Sequence, residues 1–497
     1  MELQFQKREA TCLRPLIRET KQTELTQELR LGDGMPDAGR ILGVWGQPMI
    51  RSKQWSGDQI TVSGGVMVWL LYAPEDGSEC RCMDGWVPFQ MRWDVPAGEP
   101  EGVIRVCPVL RFADGRAVSS RKFMIRMGIS LHMEALVPMN YCTFEPEEIP
   151  EDVHILRRTY PLRMSRLSGE KIFTMDEEFV LPDQQVPAKL FQYTVSPEIL
   201  EKKIMGDKVI FRGNLNLHLL YRNGEGELCT WEEEMPFSQM DQMEEALPGD
   251  GTVDIQMAVT GLELDAQDQR LHLKCSLVAQ YLVEEERMLE LIQDAYGTNR
   301  DVEIREEIIN LPVVLEVRTD HVSAEQMMQG KKGQILDATF AMDFPEYRWR
   351  IGEAEQQFSG VFHVVFRGDD GVIQNASIRW ESQRSIPMGE GCMMDGMVTG
   401  QGKIRAMETG DGMNLSVPLQ IQNRTTVNQE LKIITGLALG QVQEPDPNRP
   451  SLILCRPGKE NLWSLAKRCG STVGAIQRAN QIDEEFQENR ILLIPIS

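Results

Sequence analysis

The chain is predicted to be mainly β: three tandem all-β repeats, sandwich or barrel-like, followed by a small α+β (βααβ) domain at the C-terminus. Three observations predict this. A 24-residue stretch recurs at a fixed offset, turn signals punctuate most of the chain every ten or so residues, and only the last 48 residues switch to helical spacing. Repetition is sought first because missing it misreads every later element.

The recurring stretch is Gly57–Cys80, GDQITVSGGVMVWLLYAPEDGSEC, which returns 149 positions later as Gly206–Cys229, GDKVIFRGNLNLHLLYRNGEGELC. Gly57/Gly206, Asp58/Asp207, Gly64/Gly213, Leu70/Leu219, Leu71/Leu220, Tyr72/Tyr221, Gly77/Gly226 and Cys80/Cys229 are identical. A weaker third copy, FSGVFHVVFRGDDG, runs from Phe358 to Gly371, with Phe366 standing where Tyr72 and Tyr221 stand. Partial period-two alternation and β-branched enrichment make each copy a long strand. The acidic-Gly turn that follows signals a hairpin. Gly64 inside the strand predicts a bulge or bend.

In order, residues 1–30 form an N-terminal arm or strand, 31–140 the first β repeat, 170–295 the second and 303–440 a diverged third. Each repeat reads as a leading strand and two hairpins. The second hairpin turns at Ala113–Arg116, Asp265–Asp268 and Thr409–Gly412. Helical period is read only near 285–296 and 322–329, within linkers. Residues 441–450 make a linker stiffened by Pro445, Pro447 and Pro450, and 451–497 the last domain.

Length and charge bound the function. At 497 residues the chain exceeds one core. Its 75 acidic against 52 basic residues give a net charge of −23, which opposes nucleic acid and anionic lipid as partners. The N-terminus has no apolar h-region, so no secretory signal is expected. The longest apolar run, Val66–Ala73, is too short for a transmembrane segment. The ten cysteines are scattered, and free buried thiols are expected rather than disulfides.

No enzyme is expected. There is no Gly-x-Ser-x-Gly elbow, P-loop or dinucleotide fingerprint. Cys80-x-Cys82 lacks two further ligands at zinc spacing, so no metal and no cofactor is assigned. Trp69 and His218 are aligned positions of two copies, and a Trp opposite a His reads as structural, not catalytic. The clusters Glu145–Glu148 and Glu232–Glu234 read as solvated faces or edge guards.

The last domain carries its own pattern. Leu452–Cys455 is a short strand, Pro457-Gly458 a turn, and Leu462, Leu465 and Ala466 the face of a helix that Asn461 or Glu460 caps. Val473, Ile476 and Ala479 start a second helix, and Ile491–Pro495 closes as a strand. With Pro457-Gly458, Leu462–Lys467, Asn480 and Ile491–Pro495, this segment resembles a LysM module. The resemblance implies a binding surface in the loops before the first helix and after the second: Gly458, Lys459, Glu460, Asn461, Trp463, Asn480, Gln481 and Ile482. The family's Gly-Asp-Thr-Leu turn is here Gly458-Lys459-Glu460-Asn461-Leu462, one residue longer and without the Asp and Thr.

The repeats, with Gly-Asp, a strand ending Leu-Leu-Tyr and an acidic-Gly turn, resemble SPOCS domains of clostridial sporulation proteins. SPOCS domains followed by one LysM module resemble the SipL-like spore-coat morphogenesis proteins. The resemblance implies a non-enzymatic scaffold in the mother-cell cytoplasm at the forespore surface, docking the spore-coat basement-layer ATPase through the LysM-like domain. The alternative it leaves is a cell-wall protein that binds peptidoglycan- or chitin-type glycan.

Overall fold

The structure, a computed structural model, describes residues 1–180, 187–247, 251–267, 270–444, 450–482 and 491–496. Asp268 of the second turn and Pro445 and Pro447 of the linker lie outside the described residues. Six strands build the first unit: β1 (Phe5–Arg30), β2 (Ala38–Ser56), β3 (Gln59–Pro74), β4 (Arg81–Asp94), β5 (Val103–Ser119) and β6 (Lys122–Pro146). They form two antiparallel three-stranded sheets, ordered β1-β6-β5 and β2-β3-β4, that share one core. The second unit repeats this with β7 (Val153–Val180), β8 (Pro187–Met205), β9 (Lys208–Asn223), β10 (Leu228–Gln242), β11 (Gly251–Gln267) and β12 (Arg270–Gly297). The third does so with eight strands, because two are broken: β13 (Val302–Gln329), β14 (Gln334–Met342), β15 (Glu346–Arg350), β16 (Glu353–Arg367), β17 (Ile373–Pro387), β18 (Cys392–Gln401), β19 (Arg405–Thr409) and β20 (Gly412–Leu439). The chain ends in β21 (Leu452–Cys455), α1 (Leu462–Cys469), α2 (Val473–Asn480) and β22 (Leu492–Pro495).

Three readings of the sequence change here: the turn read at Ala113–Arg116 lies inside β5, which stays paired with β6 through Asp114 and Gly115 and turns only at Ser120–Arg121, and two segments read with helical period are strand. Residues 1–30 pair along almost their whole length with β6 and so belong to the first unit's sheet. The segments read with helical period, 285–296 and 322–329, are strand, in β12 and β13. Their Glu, Leu and Met are good helix formers, but ladder pairing to β7 and β20 overrides local propensity.

The Gly64 signal has a clear cause. Gly64 faces a bulge of β2, where the register shifts between Ile50 and Ser52. A Cβ there would lie 2.2 Å from the Met49 carbonyl oxygen. Gly213 faces the same bulge in β8, between Ile199 and Glu201, 1.9 Å from the Glu198 oxygen. In the third unit Phe358 takes this position, and the partner strand breaks between Met342 and Glu346. The glycine permits close approach; where it is missing, the strand is interrupted.

The three units close into a ring. β2 packs on β11, β8 on β18 and β14 on β5, so one strand of each unit meets the corresponding later strand of the next. A head-to-tail contact whose rotation closes ends after a fixed number of copies. At the ring's axis Leu71, Leu220 and Val365, equivalent residues of the three copies, meet in one cluster. Leu42, Phe191 and Leu336 join it. Each of these three is the residue skipped by a bulge in β2, β8 or β14, which turns its side chain to the axis. This explains the unbroken apolar run at Val68–Tyr72: Leu70 and Tyr72 fill the first unit's core while Trp69 and Leu71 fill the axis.

The seams use the next aligned position. Trp69 packs against Tyr193 of the second unit with the rings tilted at 59° and 4.9 Å between centroids. His218 pairs through Nε2 with Asp337 of the third at 2.8 Å. His363 meets Trp45 of the first edge-on at 5.5 Å. Burial alone would lower the His218 pKa, but the Asp337 charge and hydrogen bonds to Asp337 and Glu232 outweigh it and push it up to about 10.

Two outcomes follow. Gly213→Ala should lower the urea midpoint by the equivalent of about 1–3 kcal/mol, as overpacking does. Gly224→Ala, where a Cβ meets nothing within 4 Å, should leave it unchanged. The His218 pKa is raised, so its contribution is full below its unfolded value, about 6.5, and fades as pH rises through about 10. The melting-temperature gap between wild type and His218→Gln should therefore be widest near pH 6 and narrow towards pH 10. A gap constant with pH would mean that His218 is not charged in the seam.

Candidate functional site

Two places concentrate polar side chains: the centre of the ring and the C-terminal module. At the centre Arg105, 1% exposed, holds Glu134 at 2.7 Å and Asp254 at 2.6 Å. Arg105 and Asp254 stand 149 residues apart, so equivalent positions of two copies meet as an ion pair. Glu134 also binds Arg18, which reaches Asp395 of the third unit at 3.1 Å. Arg424 of the third unit pairs with Glu284 of the second, which Arg163 holds at 2.7 Å. Burial would raise the Glu134 and Asp254 carboxyls, but the guanidinium charges hold both well below the usual carboxylate range. A cavity of about 530 Å³ lies here, lined by strands of all three units. Its charged walls are matched to one another, an arrangement that fastens units together.

The module is built on two short capped helices. Asn461 caps α1, accepting from the Ser464 amide at 2.8 Å, and Gly470 ends it in the left-handed region at φ 63°. Leu462, Leu465 and Ala466 pack on Ile476, Leu492 and Ile494. So small a core is completed from outside: Tyr296 of β12 enters the same cluster. The Tyr296 hydroxyl donates to the Ser471 carbonyl at 2.9 Å. Its ring lies 4.8 Å from that of Trp463. Asp294 accepts from Trp463 Nε1 at 2.8 Å and from Lys467 Nζ at 2.6 Å. Burial would raise the Asp294 pKa, but these hydrogen bonds outweigh it and lower it.

The sequence-predicted site residues part ways here. Gly458, Lys459 and Gln481 are exposed, and Gly458 has φ 61° in its turn. Glu460 pairs with Arg468 at 2.8 Å, while Asn461 is the cap. Trp463 faces the second unit. Asn480 is buried and ties α2 to β22 through the Leu493 N–H and C=O. Ile482 packs partly on the module's core, and residues 483–490 of the following loop lie outside the described residues. Asp294 and Tyr296, which hold the module, went unnoticed in the sequence. They sit in a stretch read as a helical linker, and nothing local marks them.

Cys82 is buried, with Sγ 2.8 Å from the Phe191 carbonyl oxygen, and all ten cysteines are free thiols. Among the described residues no group of three or more His, Cys, Asp or Glu side chains gathers as metal ligands, and no helix is long and apolar enough to cross a membrane. Glu232–Glu234 lie on β10, at a sheet edge.

Residues 188–267, from β8 to the end of β11, match the family model described as SipL, SPOCS domain. No curated protein and no solved structure matches the chain. The match lies within the second unit and supports a SipL-like, spore-coat-related chain.

Asp294→Ala should loosen the module without unfolding the ring. Two hydrogen bonds are removed, the part-buried one from Trp463 worth about 1.5–3 kcal/mol and the exposed ion pair with Lys467 worth at most about 1 kcal/mol. Amide hydrogen exchange across residues 462–471 is expected to rise about tenfold or more, with β3, β9 and β16 unchanged. Unchanged exchange in α1 would show that the latch holds nothing.

Proposed function

We propose that this chain is a non-enzymatic scaffold of spore-coat assembly, a ring-shaped β body that presents a LysM-like module to a coat-basement morphogenetic ATPase. The observation that carries the reading is the SipL, SPOCS domain match at residues 188–267, joined to a C-terminal strand–helix–helix–strand module. The body's central buried charges are paired across units, Arg105 with Asp254, Arg18 with Asp395 and Arg424 with Glu284, as suits a part whose task is to hold shape. The module keeps exposed surface for a partner, in the loops around Gly458, Lys459 and Gln481 and along Leu452 and Leu454. The reading carries with it a cytoplasmic, mother-cell setting at the forespore surface.

The test is a chain ending at residue 444, compared with the full chain as a fluorescent fusion during sporulation. The truncated protein should keep its β circular-dichroism spectrum and its melting temperature to within a few degrees, yet spread through the mother cell. Retention at the forespore would move the docking role to the ring. Retention of the full chain by insoluble peptidoglycan, with no binding to the coat ATPase, would support glycan recognition instead.

A further inference from the structure

We infer that the module's protein-docking surface is the open edge of β21, which accepts an extended segment of the partner as a third strand. The inference rests on the docking role proposed above and assigns it to a different face of the module from the loops. The two-stranded sheet β21-β22 buries Ile453, Cys455, Leu492 and Ile494 against the helices. Its other face is apolar as well. Leu452, Leu454 and Ile491 are 50%, 68% and 50% exposed, and Leu454 stands across from Leu493. Side chains on one sheet face at adjacent positions form a patch, unlike apolar residues scattered singly.

The backbone points the same way. In an antiparallel pair, opposed residues alternate between exchanging hydrogen bonds and turning their N–H and C=O outward. Leu493 turns outward, because both its N–H and its C=O are taken by the Asn480 side chain. Its partner Leu454, and Leu452 two residues before, therefore direct their N–H and C=O away from β22, along the free edge of β21. Among the described residues one edge of the sheet is closed by Asn480 and the other pairs with no strand, a template for pairing. Trp463, meanwhile, is engaged with Asp294 and Tyr296 on the body. Arg456 and Lys459, both exposed, follow the strand. The segment that fits is apolar at alternate positions and acidic where it meets Arg456.

The test uses the full chain and two probes: the purified coat-basement ATPase, and a synthetic peptide of alternating valine and threonine ending in two aspartates. Leu454→Asp is a surface change that should weaken ATPase binding at least tenfold, while Glu460→Ala and Gln481→Ala stay within twofold. The amides of Leu452 and Leu454 should exchange freely in the free chain and slow at least tenfold with either probe. Wild-type affinity in Leu454→Asp, or no slowing of these amides in the ATPase complex, overturns the inference. If the ATPase does not bind the wild type, the docking role itself fails, and the peptide alone then decides the edge: slowed amides uphold it, free amides end it. Amides already slow in a concentration-dependent dimer that Leu454→Asp abolishes would assign the edge to a second copy and refute a foreign strand.

Discussion

The body depends on the chain of buried charges that runs through its centre. Asp395, Arg18, Glu134, Arg105 and Asp254 are linked in series, and Arg424 meets Glu284 beside them. Such pairs do little for stability against apolar residues of equal volume, because desolvation offsets most of the attraction. What they enforce is arrangement. Each unit supplies charges whose partners belong to another unit, so a ring closed with a unit out of place would bury a guanidinium or carboxylate without its partner, which costs several kcal/mol. The ring is therefore the folding unit that matters, although each repeat has its own apolar core.

Around that centre, the copies agree where the hairpin demands it and differ where they meet. Gly64 and Gly213 admit a bulge; the bulged strands turn Leu42, Phe191 and Leu336 to the axis. At the position after Val68, Leu217 and Phe362, the three seams receive Trp69, His218 and His363, and each finds a different partner. An aromatic pair, an ion pair and an edge-on ring contact are not interchangeable. Three unlike seams fix which unit neighbours which, the specificity that identical repeats would lack.

The C-terminal module stands apart in kind. Its helices of eight residues each are too short to persist in water alone, and its core borrows Tyr296 from the second unit. The latch of Asp294 on Trp463 and Lys467 orients the module on the body. The side it leaves outward carries the exposed leucines of β21.

Much of this was legible in residues. Repeats, acidic-Gly turns and the switch to helical spacing after Pro450 are local signals, so the repeating hairpin and the terminal βααβ order follow from the sequence alone; the Asp114-Gly115 signal misplaced one turn, because pairing with β6 carries β5 through it. The aligned Trp69 and His218 could be read as structural, though not as seams. Helical spacing at 285–296 misled, because a segment of helix formers becomes strand when a long partner lies ready to pair with it. The Arg105–Asp254 pair, the closing contact of the third unit on the first, and the hold of Asp294 and Tyr296 on the module were decided by tertiary structure. Each joins residues more than a hundred positions apart, and no local pattern records a partner met only when the ring closes.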